Sequence, residues 1–199
     1  MNIVAQIMEN VSAYRLWQAP FCEQKLVPLH LHNDLGNIRA VLDVGCGPGT
    51  NTRHFLHTQY VGLDANKSYI EYARRRYRKT FMAIDVCSYV PPGESRFDCI
   101  LVNSFLHHID DSNTLNILSK LKTLLTPDGF IHILDLVLPE RSSIARMLAQ
   151  WDRGDFPRPL EKWRSVFEKS FEAVIFEPYP LTAFGVTLWS MVYFKGKAR

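Results

Sequence analysis

Ten residues constrain this chain more than any others: Val41-Leu42-Asp43-Val44-Gly45-Cys46-Gly47-Pro48-Gly49-Thr50. An apolar run ends in three glycines at alternate positions, and Asn51 to His57 can continue as a helix. Glycines so placed allow a tight turn and close backbone approach, and the start of a helix offers free N–H groups and a positive dipole end. The stretch predicts a strand, a turn and a helix around a nucleotide-like ligand. A dinucleotide fingerprint of the form GxGxxG would put its third glycine at Thr50, whereas here it comes one residue early, at Gly49. The pattern therefore departs from that of an NAD site.

The residues that follow repeat a strand-helix alternation. Ala40–Val44, Tyr60–Asp64, Phe81–Val86, Phe97–Asn103 and Phe130–Leu136 are short apolar runs of the kind that fill a sheet buried on both faces. Between them, Ser68–Lys79 places Ile70, Ala73 and Tyr77 at helical spacing. A second helix capped by Ser112 carries the stripe Leu115, Leu118, Leu121 and Leu125 and stops before Pro127-Asp128-Gly129. Helices are also expected over Ser142–Trp151 and Leu160–Ser170, and Asn2–Trp17 reads as an amphipathic helix with Ile3, Ile7, Val11 and Tyr14 on one face. Two last strands, Phe171–Phe176 and Val186–Phe194, lack room for a crossover helix and should pair antiparallel. The expected fold is α/β: a Rossmann-like, doubly wound, seven-stranded sheet, mostly parallel, with an antiparallel C-terminal strand pair.

A chain of 199 residues has the length of one domain. Its expected parts are an N-terminal helical lid (1–38), a cofactor-binding core (39–138), a helical substrate-recognition insert (139–170) and the C-terminal strands (171–199). With 23 Lys and Arg against 20 Asp and Glu, the net charge of +3 is too small to point to nucleic acid as a partner. Four scattered cysteines, Cys22, Cys46, Cys87 and Cys99, form no CxxC pair, so neither a disulfide framework nor a metal site is expected. Without an apolar run long enough for a membrane span or a secretory leader, the chain reads as soluble and cytoplasmic. The oligomeric state is left open.

Strand ends on the carboxyl edge of a parallel sheet converge on one crevice, which gathers Asp43, Asp64, Asp85 and Asn103. Asp64 lies 19 residues beyond Gly45, where a carboxylate can accept hydrogen bonds from both hydroxyls of a ribose. Several carboxylates beside a glycine loop suit a ligand with a ribose and a positive charge better than a pyrophosphate.

In these motifs the sequence resembles the class I S-adenosylmethionine-dependent methyltransferases, from Val41 to Phe194. The resemblance rests on the glycine stretch, on Val61-Gly62-Leu63-Asp64, on Ala83-Ile84-Asp85-Val86, on Ser104-Phe105-Leu106-His107-His108-Ile109 and on Pro127-Asp128-Gly129-Phe130-Ile131-His132-Ile133-Leu134. It implies that S-adenosyl-L-methionine is the cofactor and S-adenosyl-L-homocysteine the product. The cofactor would be held by Asp43, Gly45, Cys46, Gly47, Gly49, Asp64, Ala65, Asp85, Val86, Asn103 and Ser104. Within the family Asp43 would sit near the methionine amino group, Asp64 on the ribose and Asp85 near the adenine amino group.

Methyl transfer from a sulfonium is an in-line displacement, so most of the catalysis can come from holding the acceptor atom close and excluding water. Where the acceptor must lose a proton, His107 and His108 lie in the loop it would approach. Tyr14, Gln18, Trp151 and Arg153 are the expected substrate contacts, the first two from the lid. The segment that holds Arg141, Arg146, Arg153, Arg158 and Arg164 can meet an anionic substrate, or its arginines can pair with Glu140, Asp152, Asp155 and Glu161. No Asn/Asp-Pro-Pro-Tyr/Phe motif follows the fourth strand, which argues against amino methylation of bases or glutamine. The expected acceptor is a small molecule methylated on O, N or C. An RNA or protein methyltransferase and a non-catalytic S-adenosylmethionine-binding protein are the alternatives.

Overall fold

Alternate residues of the central strands feed two different cores, and this sets the architecture of the protein, seen in a computed structural model that describes residues 21–93, 95–152 and 154–199. The helix expected over Asn2–Trp17, and with it Tyr14, Gln18 and Arg153, lie outside those residues. In β1 (Ala40–Val44), Leu42 and Val44 join Ile100, Val102, Ile131 and Ile133 on one face, while Val41 joins Cys99, Leu101 and Leu134 on the other. A strand that buries both faces belongs in the middle of a sheet covered on both sides.

The remaining strands are β2 (Gln59–Asp64), β3 (Thr80–Ala83), β4 (Phe97–Asn103), β5 (Leu125–Leu136), β6 (Phe171–Ala183) and β7 (Val186–Ala198). Their order is β3-β2-β1-β4-β5-β7-β6, with β7 antiparallel to both of its neighbours and the other pairs parallel. The chain moves outward from β1 in one direction and returns to the other side at β4. This reversal opens a crevice at the carboxyl ends of β1 and β4.

Helices α1 (Cys22–His32) and α2 (Lys67–Arg76) cover one face through Leu26, Leu29, Ile70 and Ala73. Helices α3 (Asp111–Leu124) and α5 (Leu160–Phe167) cover the other through Leu118, Leu121, Trp163 and Phe167, and α4 (Ile144–Trp151) packs against β7. No helix among the described residues is long and apolar enough to cross a membrane.

The structure differs from the sequence expectation in several places, one being the third strand, which ends at Ala83 and gives way to a 3-10 turn at Val86. The helix after the glycine loop is only a 3-10 turn, Thr52–Phe55, because β2 begins at Gln59 and the chain turns back at Thr58, whose N–H and hydroxyl both bond to the Phe55 carbonyl. A full helix dipole is therefore missing at that turn. Asp110, instead of Ser112, caps α3 by accepting from the Asn113 N–H at 2.9 Å. Strand β5 starts before Pro127-Asp128-Gly129 and absorbs it as a register shift against β4 between Phe97 and Cys99. The last two strands run on into a hairpin closed at Phe184 (φ 52°) and Gly185 (φ 76°), the left-handed pair of a tight two-residue turn. Pro178 and Pro180 end the sequence reading of β6 early, yet β6 is an edge strand, where a missing N–H costs no ladder bond.

Candidate functional site

The glycine loop stands at the crevice with all three glycines in the left-handed region: Gly45 at φ 67°, Gly47 at 54° and Gly49 at 78°. Other residues reach that region only with strain. At Gly45 a side chain is also excluded by space, since a Cβ would lie 2.6 Å from the Phe105 ring. The loop is tied to β2 from both sides. Cys46 donates its N–H to the Leu63 carbonyl at 3.0 Å, and Gly47 donates its N–H to Asp64 Oδ2 at 2.9 Å. Asp64 Oδ1 accepts from the Asn66 N–H at 2.8 Å. Burial pushes the Asp64 carboxyl above its ordinary pKa, and these two backbone donors partly hold it down. Ala65, next along the chain, is exposed.

Asp43 ends β1 with no exposed surface. Its oxygens accept from Asn51 Nδ2 at 3.2 Å each and from the Tyr60 hydroxyl at 2.5 Å. Burial among partners that carry no charge raises its pKa to about 7, despite those hydrogen bonds. Asn51 in turn accepts from Asn103 Nδ2 at 3.1 Å. Asp43 thus reaches the crevice through Asn51 and Asn103, and it is Asn51 and Asn103 that line the pocket with Gly45, Ser104 and Lys25.

Ser104 has φ 54°, an uncommon conformation for a residue with a side chain, fixed by its N–H donating to the Leu134 carbonyl at 2.7 Å. The turn presents its hydroxyl to the ammonium of Lys25, which donates at 2.9 Å from the first turn of α1.

A second polar cluster closes the same edge at β5. Asp135, also without exposed surface, accepts from His107 Nδ1 at 2.6 Å and from the N–H groups of Leu106 and Leu136 at 2.8 and 2.7 Å. His107 Nε2 faces Asp152 Oδ2 at 3.1 Å. Burial alone would lower the histidine's pKa, but the two carboxylates overcome it and bring it up to about 9. Burial likewise pushes Asp135 upward, and the imidazolium and backbone donors reverse that, leaving it below the ordinary carboxylate value.

The segment after α4 lies on the His107 loop. Phe156 donates its N–H to the His107 carbonyl at 3.0 Å, and a Cβ on Gly154 would come within 2.2 Å of the His107 ring. Buried Arg158 donates to the carbonyls of Leu106 and Ile109 at 3.0 and 2.6 Å and pairs with Asp111 at 2.7 Å. Among the arginines of the insert, Arg158 and Arg164 therefore meet carboxylates, Arg164 those of Glu161 and Glu168 at 3.7 Å.

Of the residues expected from sequence to hold the cofactor, the structure gathers Gly45, Asn103 and Ser104 in one pocket and sets Asp43 behind it and Asp64 under the glycine loop. Asp85 and Val86 are placed further out. Asp85 caps a 3-10 turn by accepting from the Cys87 N–H at 2.8 Å, and it lines a separate cleft with His108, Asn113, Lys120 and Phe156, while Val86 is buried in the core. His107, expected as a base, has both ring nitrogens engaged by carboxylates and is held protonated, so in this arrangement it has no nitrogen with which to take a proton. His108 is exposed, its ring centroid 4.1 Å from that of His107. Trp151 is 75% exposed on α4 and lines neither cavity.

Sequence reasoning missed Lys25, Asn51 and Asp135. Asp135 carries the signal that picked out Asp64 and Asp85, an acid at the end of a parallel strand. Lys25 carries none, because it meets Ser104 across 79 positions of sequence.

Residues 41–129 match the model of a methyltransferase domain. A trans-aconitate 2-methyltransferase of Delftia acidovorans is 31% identical over 105 residues, 50% of this chain and 38% of that enzyme. The chain thus spans less than two fifths of that relative's length. Among solved structures, a mitomycin 7-O-methyltransferase superposes with a TM-score of 0.72 at 18% identity, over 98% of this chain and 61% of that one. The N-methyltransferase NodS of Bradyrhizobium japonicum, solved with S-adenosyl-L-homocysteine, gives 0.70 at 15% identity over 88% and 86%. At such identities the likeness is one of fold, and it includes the sheet with its reversed seventh strand. The fold is that of the class I S-adenosylmethionine-dependent methyltransferases, and within it residues 41–129, which include the glycine loop, match the methyltransferase domain.

Proposed function

We propose that the chain transfers the methyl group of S-adenosyl-L-methionine to an O, N or C atom of a small molecule, leaving S-adenosyl-L-homocysteine. The observation that carries this reading is the Gly45-to-Gly49 turn, held in the left-handed region at the β1–β4 reversal with an acid at the end of β2 beneath it. The donor set fits the cofactor. At Gly45 the Phe105 ring stands where a Cβ would go, so the turn is set tightly against the loop after β4. Asp64 ends β2 where a ribose would rest, and the Asn51–Asn103 pair offers side-chain oxygens backed by a buried carboxylate.

In this reading Gly45, Cys46, Gly47 and Gly49 supply backbone contacts, and Asp64 with Ala65 receives the ribose. Asp85 and Val86 border the base, and Asn103 and Ser104 close the methionyl side. When bound, the cofactor supplies an electrophilic methyl group on a sulfonium, which needs no acid to leave. What the protein must contribute is alignment and dryness. His107 does so as a positioning residue, by fixing Asp152, and with it the segment after α4, over the acceptor side of the crevice. Where the acceptor must lose a proton, His108 is the proposed base, exposed beside the His107 ring and lining the cleft that holds Asp85. Tyr14, Gln18, Trp151 and Arg153 are the proposed acceptor contacts. A small acceptor fits the short insert of two helices, α4 and α5, and the trans-aconitate specificity in the relative's name makes a carboxylic acid the first acceptor to try.

Calorimetric titration tests the cofactor reading. S-adenosyl-L-homocysteine should bind in the micromolar range and NAD should not, and Asp64→Ala should weaken the former about 10-fold or more through loss of charge-assisted hydrogen bonds. Absence of heat with the sulfur ligand, or an undiminished affinity in the variant, would overturn it.

A further inference from the structure

The turn that carries His107 and His108 is too short to satisfy its own backbone. Over Leu106–His108 the His108 N–H bonds to the Phe105 carbonyl at 3.2 Å and the Ile109 N–H to the Leu106 carbonyl at 3.0 Å. The carbonyls at its end are left to donors from elsewhere, as at the end of any helix. The segment after α4 supplies them. Phe156 gives its N–H to the His107 carbonyl, and Arg158 reaches the carbonyls of Leu106 and Ile109, at either end of the turn.

The buried guanidinium is fully used there, its five N–H groups meeting five acceptors. One terminal nitrogen donates to the Leu106 and Phe156 carbonyls, the other to the Ile109 carbonyl and the Thr114 hydroxyl, and Nε to Asp111. Its central carbon lies 4.6 Å from the centre of the Trp163 ring, which is itself fixed by donating its N–H to the Leu136 carbonyl at 2.8 Å. The Arg158 carbonyl accepts from the Leu138 N–H at 2.8 Å. The fork is therefore held in register with the carboxyl end of β5. Asp111 is the replaceable partner, because Lys162 pairs with it as well, at 2.7 Å. The span between two carbonyls is not replaceable by a lysine, whose ammonium is a single point. His107 has its own anchors in Asp135 and Asp152, whereas the backbone of His108 hangs between the two carbonyls that Arg158 holds.

We propose that Arg158 is a positioning residue for His108: by holding both ends of the Leu106–Ile109 turn it sets where that ring stands, and through Phe156 it ties the place to the segment after α4. The proposal rests on the reading of His108 as the base and adds the residue that aligns it.

Proton NMR of the imidazole rings tests this in the wild type, Arg158→Gln, Arg158→Lys and Asp111→Asn. The His107 and His108 rings, with centroids 4.1 Å apart, should give a cross-peak in the wild type. Arg158→Gln should lose it and move the His108 signals, while His107 still titrates near its value of about 9. Arg158→Lys should recover part of the cross-peak. Asp111→Asn, which removes the ion pair and leaves the carbonyl contacts, should keep it. An unchanged cross-peak in Arg158→Gln would overturn the proposal, and so would an equal loss in Asp111→Asn, which would mark a general loosening. Should Arg158→Gln fail to fold, a cross-peak of wild-type strength in Arg158→Lys would overturn it. None of these results bears on the cofactor, whose binding is read separately by titration with S-adenosyl-L-homocysteine. If the wild type bound none, the methyltransferase reading would fail, and the role of His108 with it, whatever the rings showed.

Discussion

Asp43 and Asp135 end two strands of one sheet, on the same edge, both without exposed surface, and their carboxyls are driven in opposite directions. Asp43 is met by an amide and a phenol, neutral donors that satisfy its oxygens without cancelling its charge, and its pKa rises to about 7. Asp135 is met by an imidazolium and two backbone N–H groups, and its pKa falls. Equal burial therefore gives unequal acids, because the charge of the partner decides the outcome. One end of the crevice is a carboxyl that can exist neutral, and the other is a fixed ion cluster that ties the segment after α4 to the core.

The largest break in that contrast is His107→Ala. It takes away the imidazolium that Asp135 and Asp152 share, and removal of one partner from a buried pair costs about 3–5 kcal/mol. Chemical unfolding should show a loss of that order, with the Asp43 end unaffected. A loss under about 1 kcal/mol would mean that the cluster contributes no more than a surface pair does.

Next in size are the pH effects, which fall in separate windows. His107 has its pKa raised from 6.5 to about 9, so its contribution is full below pH 6.5 and is lost as pH climbs through 9. The sum is about 3 kcal/mol over that span, at 1.36 kcal/mol per pH decade. Asp43 also binds its proton more tightly when folded. Its contribution is full below the unfolded value of 3.8 and is lost as pH rises toward 7, again by a few kcal/mol in order of magnitude. Unfolding free energies measured from pH 4 to 10 should therefore show both slopes. Asp43→Asn should flatten the first and His107→Ala the second. A variant that flattens the wrong window would reverse the assignment.

These two clusters also mark how far the sequence could be read. Strands β1 and β4 begin and end where their apolar runs do, because both faces of a central strand are buried and its composition has nothing else to encode. The edges were less legible. β6 hides behind Pro178 and Pro180, which are tolerated because no strand among the described residues pairs beyond it. In the candidate site the glycines and Asp64 were readable since turn, strand end and spacing are local properties. The partners that set the chemistry were not. Asn51 reaches Asp43 across 8 positions, His107 reaches Asp135 across 28 and Arg158 reaches Leu106 across 52. Nothing in those residues' own neighbourhoods reports whether they will arrive as donors or as charges.

The smallest expected effects separate the two ends most sharply, because they change a partner and leave both aspartates in place. Asn51→Ala removes the two amide contacts of Asp43 but not that of Tyr60, and it leaves Asn103 without its acceptor. A neutral hydrogen bond in this setting is worth about 1 kcal/mol, so the loss of stability should be of that size, and the Asp43 pKa should move further up. Asp152→Asn is the matching change at the other end. It takes one carboxylate from His107 and keeps Asp135, so the histidine's pKa should fall from about 9 and the pairing with Asp135 should survive. Carboxyl and imidazole titrations followed by NMR would read both directly. If neutral partners set the Asp43 end and ionic ones the Asp135 end, the first variant shifts a carboxyl upward and the second shifts a histidine downward. No shift in either variant would mean that burial alone governs the crevice.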